Sequence, residues 1–256
     1  MRLNDREDVV GGCKVKIVCA SVWHNISLSL QSNLNQSKMG KVKDDINTAF
    51  ENYCAEYSRI LESDFKPWAN QKKYSIHETN LVVNFLSSYK NKVNEKSINW
   101  VELTIPLSNC EKKNNRIDGL IIDRENKRVF LIEAKRISRL KKKTKELSED
   151  LKAIVALSNN KELKDRLGIE NKPYELHCLL LADFWQSRLS KNVTEPICNI
   201  WDGKIAEYKA DAEKYIEEEK LELKIDIVKA DPQEQCKMIY CNNYHLAYAL
   251  FKLIDF

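Results

Sequence analysis

Two neighbouring runs constrain the fold of this chain more than any other feature: RIDGLIID at 116–123 and RVFLIEAKRI at 128–137. Val129, Phe130, Leu131 and Ile132 form a continuous apolar block, which is the mark of a strand inside a sheet rather than on its wet face. If Asp123 and Arg128 bracket a four-residue loop, the two runs are the arms of a hairpin. That register sets Asp118 directly opposite Glu133, with side chains roughly 5 Å apart. A slip of one residue would change this pairing and turn every side chain to the other face.

Around this hairpin the pattern alternates between helix and strand. Apolar residues at Ile46, Phe50, Tyr53, Tyr57, Ile60 and Leu61 predict a helix from Met39 to about Ser63, and a second is expected over about 75–93. Strands follow at 99–107, 116–123 and 128–136, then a helix over about 142–168 with a break near Asn159 and Asn160. YELHCLLLADF predicts a buried strand around 174–182. A helix (203–220), a strand (221–229) and a terminal helix complete the chain. The order α-β-β-β-α-β implies an α/β fold, a mixed β-sheet flanked by helices. Residues 1–38 are rich in Ser, Asn and Gln and lack clear periodicity, so they are expected to be an N-terminal extension to a single domain at 39–256.

Composition narrows the class. The chain has 256 residues and 31% charged residues, yet a formal net charge of only +4, so any nucleic-acid contact has to rest on a local patch. No segment approaches the roughly 18–20 apolar residues needed to span a bilayer. The start has acids where a signal peptide has bases, and the cysteines are scattered, so a cytoplasmic protein with reduced thiols and no membrane partner is expected. Only six glycines are present and none form a phosphate-cradling loop. His24, His77, His177 and His245 lack the setting of a nucleophilic hydrolase. Cys236, Cys241 and His245 fall close together, but their spacing matches no usual zinc pattern and the surrounding apolar residues read as a buried helix. Trp185 and Trp201 flank an irregular segment that reads as a packed connection or, alternatively, a substrate-recognition insert.

The triplet E-x-K occurs eight times, so the letters carry no weight alone. Glu133 differs because it ends an apolar run and faces Asp118. Two carboxylates opposed on apolar strands repel, and one tends to take up a proton. A hard divalent cation removes that conflict, and Mg²⁺ favours one or two carboxylates with waters and phosphate oxygens. Strand alternation puts Lys135 on the same face as Glu133. Two acids for a metal with an ammonium beside them suit phosphodiester hydrolysis.

RIDGLII followed by VFLIEAK resembles the core signature of the PD-(D/E)XK nuclease superfamily, whose restriction-endonuclease-like core is similar in element order. The likeness covers roughly residues 75–182. It implies that Asp118, Glu133 and the Ala134 carbonyl bind Mg²⁺, with Mn²⁺ as a substitute, and that Lys135 is the catalytic lysine. The proline that names the motif is absent, since Ile117 precedes Asp118.

Such enzymes often add an acid from the preceding helix. Glu78 fits, lying on the stripe of Val82, Phe85 and Tyr89, and Glu102 in WVELTIPL competes for the role. Downstream, Arg136, Arg139, Lys141, Lys142, Lys143 and Lys145 form a basic run suited to a phosphate backbone. Lys145, Glu149 and Lys152 could face the site from the following helix. The expectation is a Mg²⁺-dependent nuclease, foremost a DNA endonuclease of restriction, defence or repair, with RNA as a second substrate class. An inactive nucleic-acid-binding module of the same fold is the alternative. A homodimer would offer a route to cutting both strands.

Overall fold

The structure, a computed structural model, describes residues 20–64, 78–105, 116–137, 140–169, 173–185, 196–240 and 244–255. The chain divides into two compact units, Met1–Lys41 and Val42–Phe256. Helix α1 runs through Ala20–Arg59 and ends in a π turn, Ile60–Asp64, and α2 is Glu78–Lys92. Strands β1 (Ile98–Thr104), β2 (Arg116–Asp123) and β3 (Arg128–Ile137) come next, followed by α3 (Leu140–Ser158) and α4 (Lys161–Arg166). Strand β4 is Glu175–Trp185, α5 is Ile197–Glu218 and β5 is Leu223–Ile227. A short α6 (Pro232–Gln235) leads into β6 (Cys236–Tyr240) and β7 (Tyr244–Asp255). The seven strands make one mixed sheet in the order β1-β2-β3-β4-β7-β5, with β6 also on β7. Only β3 and β4 are parallel among the paired strands described.

The hairpin register is the one the sequence predicts, running from Asp123↔Arg128 to Gly119↔Ile132. Asp123 pins it. Its buried carboxylate accepts from Tyr89 Oη (2.8 Å), Asn94 Nδ2 (2.7 Å), the Asn126 amide (3.0 Å) and Asn126 Nδ2 (2.8 Å). Burial alone would raise this carboxyl, but those donors win and hold it below its usual range. The turn is therefore tied to α2 and cannot slide without stranding a buried charge.

Strand β3 is buried on both faces, and parity decides what each face meets. Val129, Leu131 and Ile137 join Leu147, Leu151 and Ile154 of α3 in the main core. Phe130 turns the other way, against Tyr89 of α2 (ring centroids 5.6 Å) and His177 (5.1 Å). Val129, Phe130, Leu131 and Ile132 are all 0% exposed, and each contributes roughly 1.5–3 kcal/mol of burial. On the α2 face, Phe50 meets Tyr248 (4.8 Å), Tyr53 meets Phe85 (6.1 Å) and Tyr57 stacks on Tyr244 (6.1 Å). Helices α1 from Val42 on and α2 thus cover one face, while α3 and α5 cover the other.

Two expectations are corrected. The terminal segment is a β-hairpin, not a helix. Strand β7 lies between β4 on one edge and β5 and β6 on the other, and Tyr244 through Phe251 are buried throughout. A strand buried on both faces loses its period of two, so helix-forming Leu and Ala gave the wrong signal. The first helix also begins earlier than Met39, at Ala20. The expected break at Asn159 and Asn160 is present, and Asn160 caps α4 by accepting from the Glu162 amide (2.9 Å). Among the described residues, no helix is long and apolar enough to cross a membrane.

Candidate active site

One step beyond Gly119↔Ile132, the hairpin register reaches Asp118 and Glu133, and their carboxyl groups are in hydrogen-bonding contact. The regular ladder gives way at this point. Asp118 Oδ2 accepts the Ala134 amide at 2.9 Å, and Glu78 Oε1 accepts the Arg136 amide at 3.0 Å. Alternate residues of a strand present their amides to the same edge, so these two acids occupy successive positions along the β2 side of β3. The Ala134 carbonyl points to that edge as well. Glu78 reaches it from the first turn of α2, where the helix dipole favours an acid.

Glu133 is 7% exposed and its carboxyl is pushed up to about 9. Burial is the largest cause, followed by the charges of Asp118 and Asp150 and the hydrogen bond with Asp118, while Lys135 works the other way. Near neutral pH the Asp118–Glu133 pair therefore keeps a proton. Lys135 shares this face, and its Nζ stands 2.7 Å from Asp150 Oδ2 on α3. Burial disfavours the ammonium, yet Asp150, then Glu133 and Asp118, raise it above the usual lysine value. Asp150 is itself held above the usual carboxylate range, by burial first and by the charges of Asp118 and Glu146, against the pull of Lys135.

Glu102 is placed differently. The β1–β2 register skips it between Val101↔Gly119 and Leu103↔Ile117, and its backbone is left-handed, with φ 54°. That conformation costs about 1–2 kcal/mol in a residue other than glycine. Its carboxylate turns to Arg116 Nη2 (2.8 Å) and Thr79 Oγ1 (3.2 Å). Of the two acids weighed from sequence, Glu78 is the one engaged on the edge of β3.

Arg136 does not join the basic surface. Strand parity turns it away from Lys135, onto the α2 face, where Nε meets the fully buried Asp183 at 3.1 Å, and Tyr244 Oη donates to the same carboxylate at 2.7 Å. In the basic run Lys142 and Lys145 are exposed. Lys143 pairs with Glu146 at 2.7 Å and Lys142 lies 3.9 Å from it. Arg139 and the Lys141 side chain lie outside the described residues. Lys152 and Glu149 pair with each other at 3.3 Å on the outer face of α3. Asp150 is the residue of that helix the sequence reading missed. Its signal was present, because Asp150 falls at helical spacing between the core residues Leu147 and Ile154.

Among the described residues, no three His, Cys, Asp or Glu side chains are grouped to hold a metal. A cation here would lean on Asp118, Glu133, the Ala134 carbonyl and water, an all-oxygen set that suits Mg²⁺. The proton kept between two facing acids is the mark of a charge conflict that a cation resolves. Cys236 and His245 stand on adjacent strands, and Cys241 lies outside the described residues. Trp201 is buried and donates to the Tyr248 carbonyl at 2.8 Å, so its role is packing. Comparison of the chain with protein-family models, curated proteins and solved structures found no match.

Proposed function

We propose that this chain is a Mg²⁺-dependent phosphodiesterase of the restriction-endonuclease-like type, with DNA as its first substrate class and RNA as the second. The observation that carries the reading is the contact between Asp118 and Glu133 on the face shared by Lys135. Asp118, Glu133 and the Ala134 carbonyl would hold the cation. When bound, it would polarise the phosphate and lower the pKa of a water.

The chain's own groups divide the remaining work. Glu133, which shares a proton with Asp118, would have to be deprotonated to serve as a ligand. Lys135, held charged by Asp150, stabilises the extra negative charge that builds on the phosphoryl oxygens. Glu78 keeps the edge of β3 fixed by occupying the Arg136 amide. Lys142 and Lys145, exposed at the start of α3, supply contacts to the phosphate backbone.

Purified protein incubated with plasmid, single-stranded DNA and RNA, with Mg²⁺ or EDTA, tests this reading beside Lys135→Ala. Metal-dependent cleavage that the variant loses supports it. Binding without cleavage by the wild type would leave an inactive module of this fold, and neither binding nor cleavage would end the nucleic-acid reading.

A further inference from the structure

Two cysteines meet where α5 packs against β6. Cys198 is in the first turn of α5, whose N-cap residue Pro196 provides no side-chain cap. Its thiol donates to the Cys236 carbonyl of β6 at 3.0 Å, and the two thiols are within hydrogen-bonding reach of each other. Both are reduced. They line a cavity of about 530 Å³ together with Gln233, Lys237, Met238 and His245. His245 is 7% exposed and its Nδ1 has no hydrogen-bond partner among the described residues. Two adjacent thiols and an unsatisfied ring nitrogen around one cavity are more than packing requires.

The two thiols are not equivalent. Cys198 is drawn down to about 7 by its hydrogen bond with Cys236, against burial and with help from its own backbone amide at the helix start. Cys236 is pushed far up by that same hydrogen bond and by burial. Cys198 is the more accessible of the two, 9% exposed against 1% for Cys236, so an incoming reagent meets Cys198 first and Cys236 stands behind it as the resolving cysteine.

We propose that Cys198 and Cys236 form a thiol-modification site that takes a low-molecular-weight disulfide and closes to an intramolecular bridge. The Cys198 thiolate attacks one sulfur of the incoming disulfide. Its S–S bond breaks, a mixed disulfide forms on Cys198, and the first thiol leaves and takes a proton from water. Cys236 then loses its proton to water and attacks the Cys198 sulfur, expelling the second thiol. The two protein thiols are oxidised by two electrons, and the incoming disulfide is reduced to two thiols. The bridge ties α5 to β6 across the cavity, independently of whether the chain cleaves nucleic acid.

Full-length protein equilibrated in mixtures of oxidised and reduced glutathione, alkylated, digested and read by mass spectrometry tests this directly. The wild type should give a peptide pair linked through Cys198 and Cys236. Cys236→Ser should accumulate a glutathione adduct on Cys198, and Cys198→Ser should give neither product. A Cys198 bridge to another cysteine such as Cys241, an adduct confined to Cys236, or two unmodified thiols where a free dithiol peptide is oxidised would each overturn the proposal. Should the variants misfold, alkylation of the wild type at pH 7 decides. Cys198 should react at least tenfold faster than buried Cys54 and Cys178, and equal rates overturn it.

Discussion

Lys135 Nζ lies 2.7 Å from Asp150 Oδ2, joining the third strand to the following helix through a half-buried ion pair. The charge of Lys135 is therefore set from a different element than the one that carries it. Asp150→Asn should lower plasmid cleavage by roughly tenfold and move the alkaline limit of its pH profile downward, because the ammonium loses its nearest support. Lys135→Ala should cost about 10²–10³-fold in rate. Nicking rates across pH check both, and a flat response to Asp150→Asn would remove Asp150 from any role in activity.

Cation binding should depend on pH through Glu133, whose carboxyl sits at about 9. Below that value the ion has to displace the shared proton, so apparent Mg²⁺ affinity should rise approximately tenfold per pH unit from 6 to 9 and then level off. Calorimetry, or Mn²⁺ binding followed by electron paramagnetic resonance, reads this without substrate. An affinity constant over that window would mean that Glu133 is not a ligand.

Stability should show the same group with the opposite sign. The folded-state pKa of Glu133 is raised from its ordinary 4.5 to about 9. Its contribution is therefore fully present below pH 4.5 and is lost as pH rises through 9. Glu133→Gln should remove that slope and stabilise the metal-free protein at pH 7 by about 3 kcal/mol, while abolishing cation binding. Thermal melts at pH 5, 7 and 9 measure it, and a variant less stable at pH 7 contradicts the buried-proton account.

Asp123 holds the turn that determines which residues face each other. Asp123→Ala leaves Tyr89, Asn94 and Asn126 without their common acceptor and should cost about 2–4 kcal/mol. Denaturant unfolding gives the magnitude. Cleavage at a temperature where the variant stays folded should also fall, because the Asp118–Glu133 register depends on that turn.

Gly119 precedes the divergence of the two strands, and a Cβ there would come within 2.5 Å of Val82 Cγ1 and 3.3 Å of Ile132 Cβ. Gly119→Ala should therefore destabilise by about 1–3 kcal/mol by pushing α2 off the sheet. An unchanged unfolding midpoint would mean that Val82 moves aside freely.

The hairpin was legible in the sequence because its determinants are local. Asp123, the loop and two apolar runs fix the register, and Asp118 and Glu133 follow from it. Arg136 was legible too, since strand alternation already separates it from Lys135, but its charge grouped it with the basic run. Asp150 depends on how α3 docks on β3, a relation that spacing along the helix suggests without fixing the partner. The Cys198–Cys236 contact joins residues 38 apart with no local signal. Strand β7 was misread because its two buried faces remove the alternation that distinguishes strands.

The amides of Ala134 and Arg136 are held by the carboxylates of Asp118 and Glu78 instead of by strand-to-strand carbonyls. Their hydrogen-exchange rates are thus governed by side chains, while neighbouring β3 amides follow the opening of the sheet. These two protons form a built-in spectroscopic gauge. Magnesium titration should alter their protection and chemical shifts ahead of the rest of the strand, reporting occupancy of the carboxylate edge before any substrate has been identified.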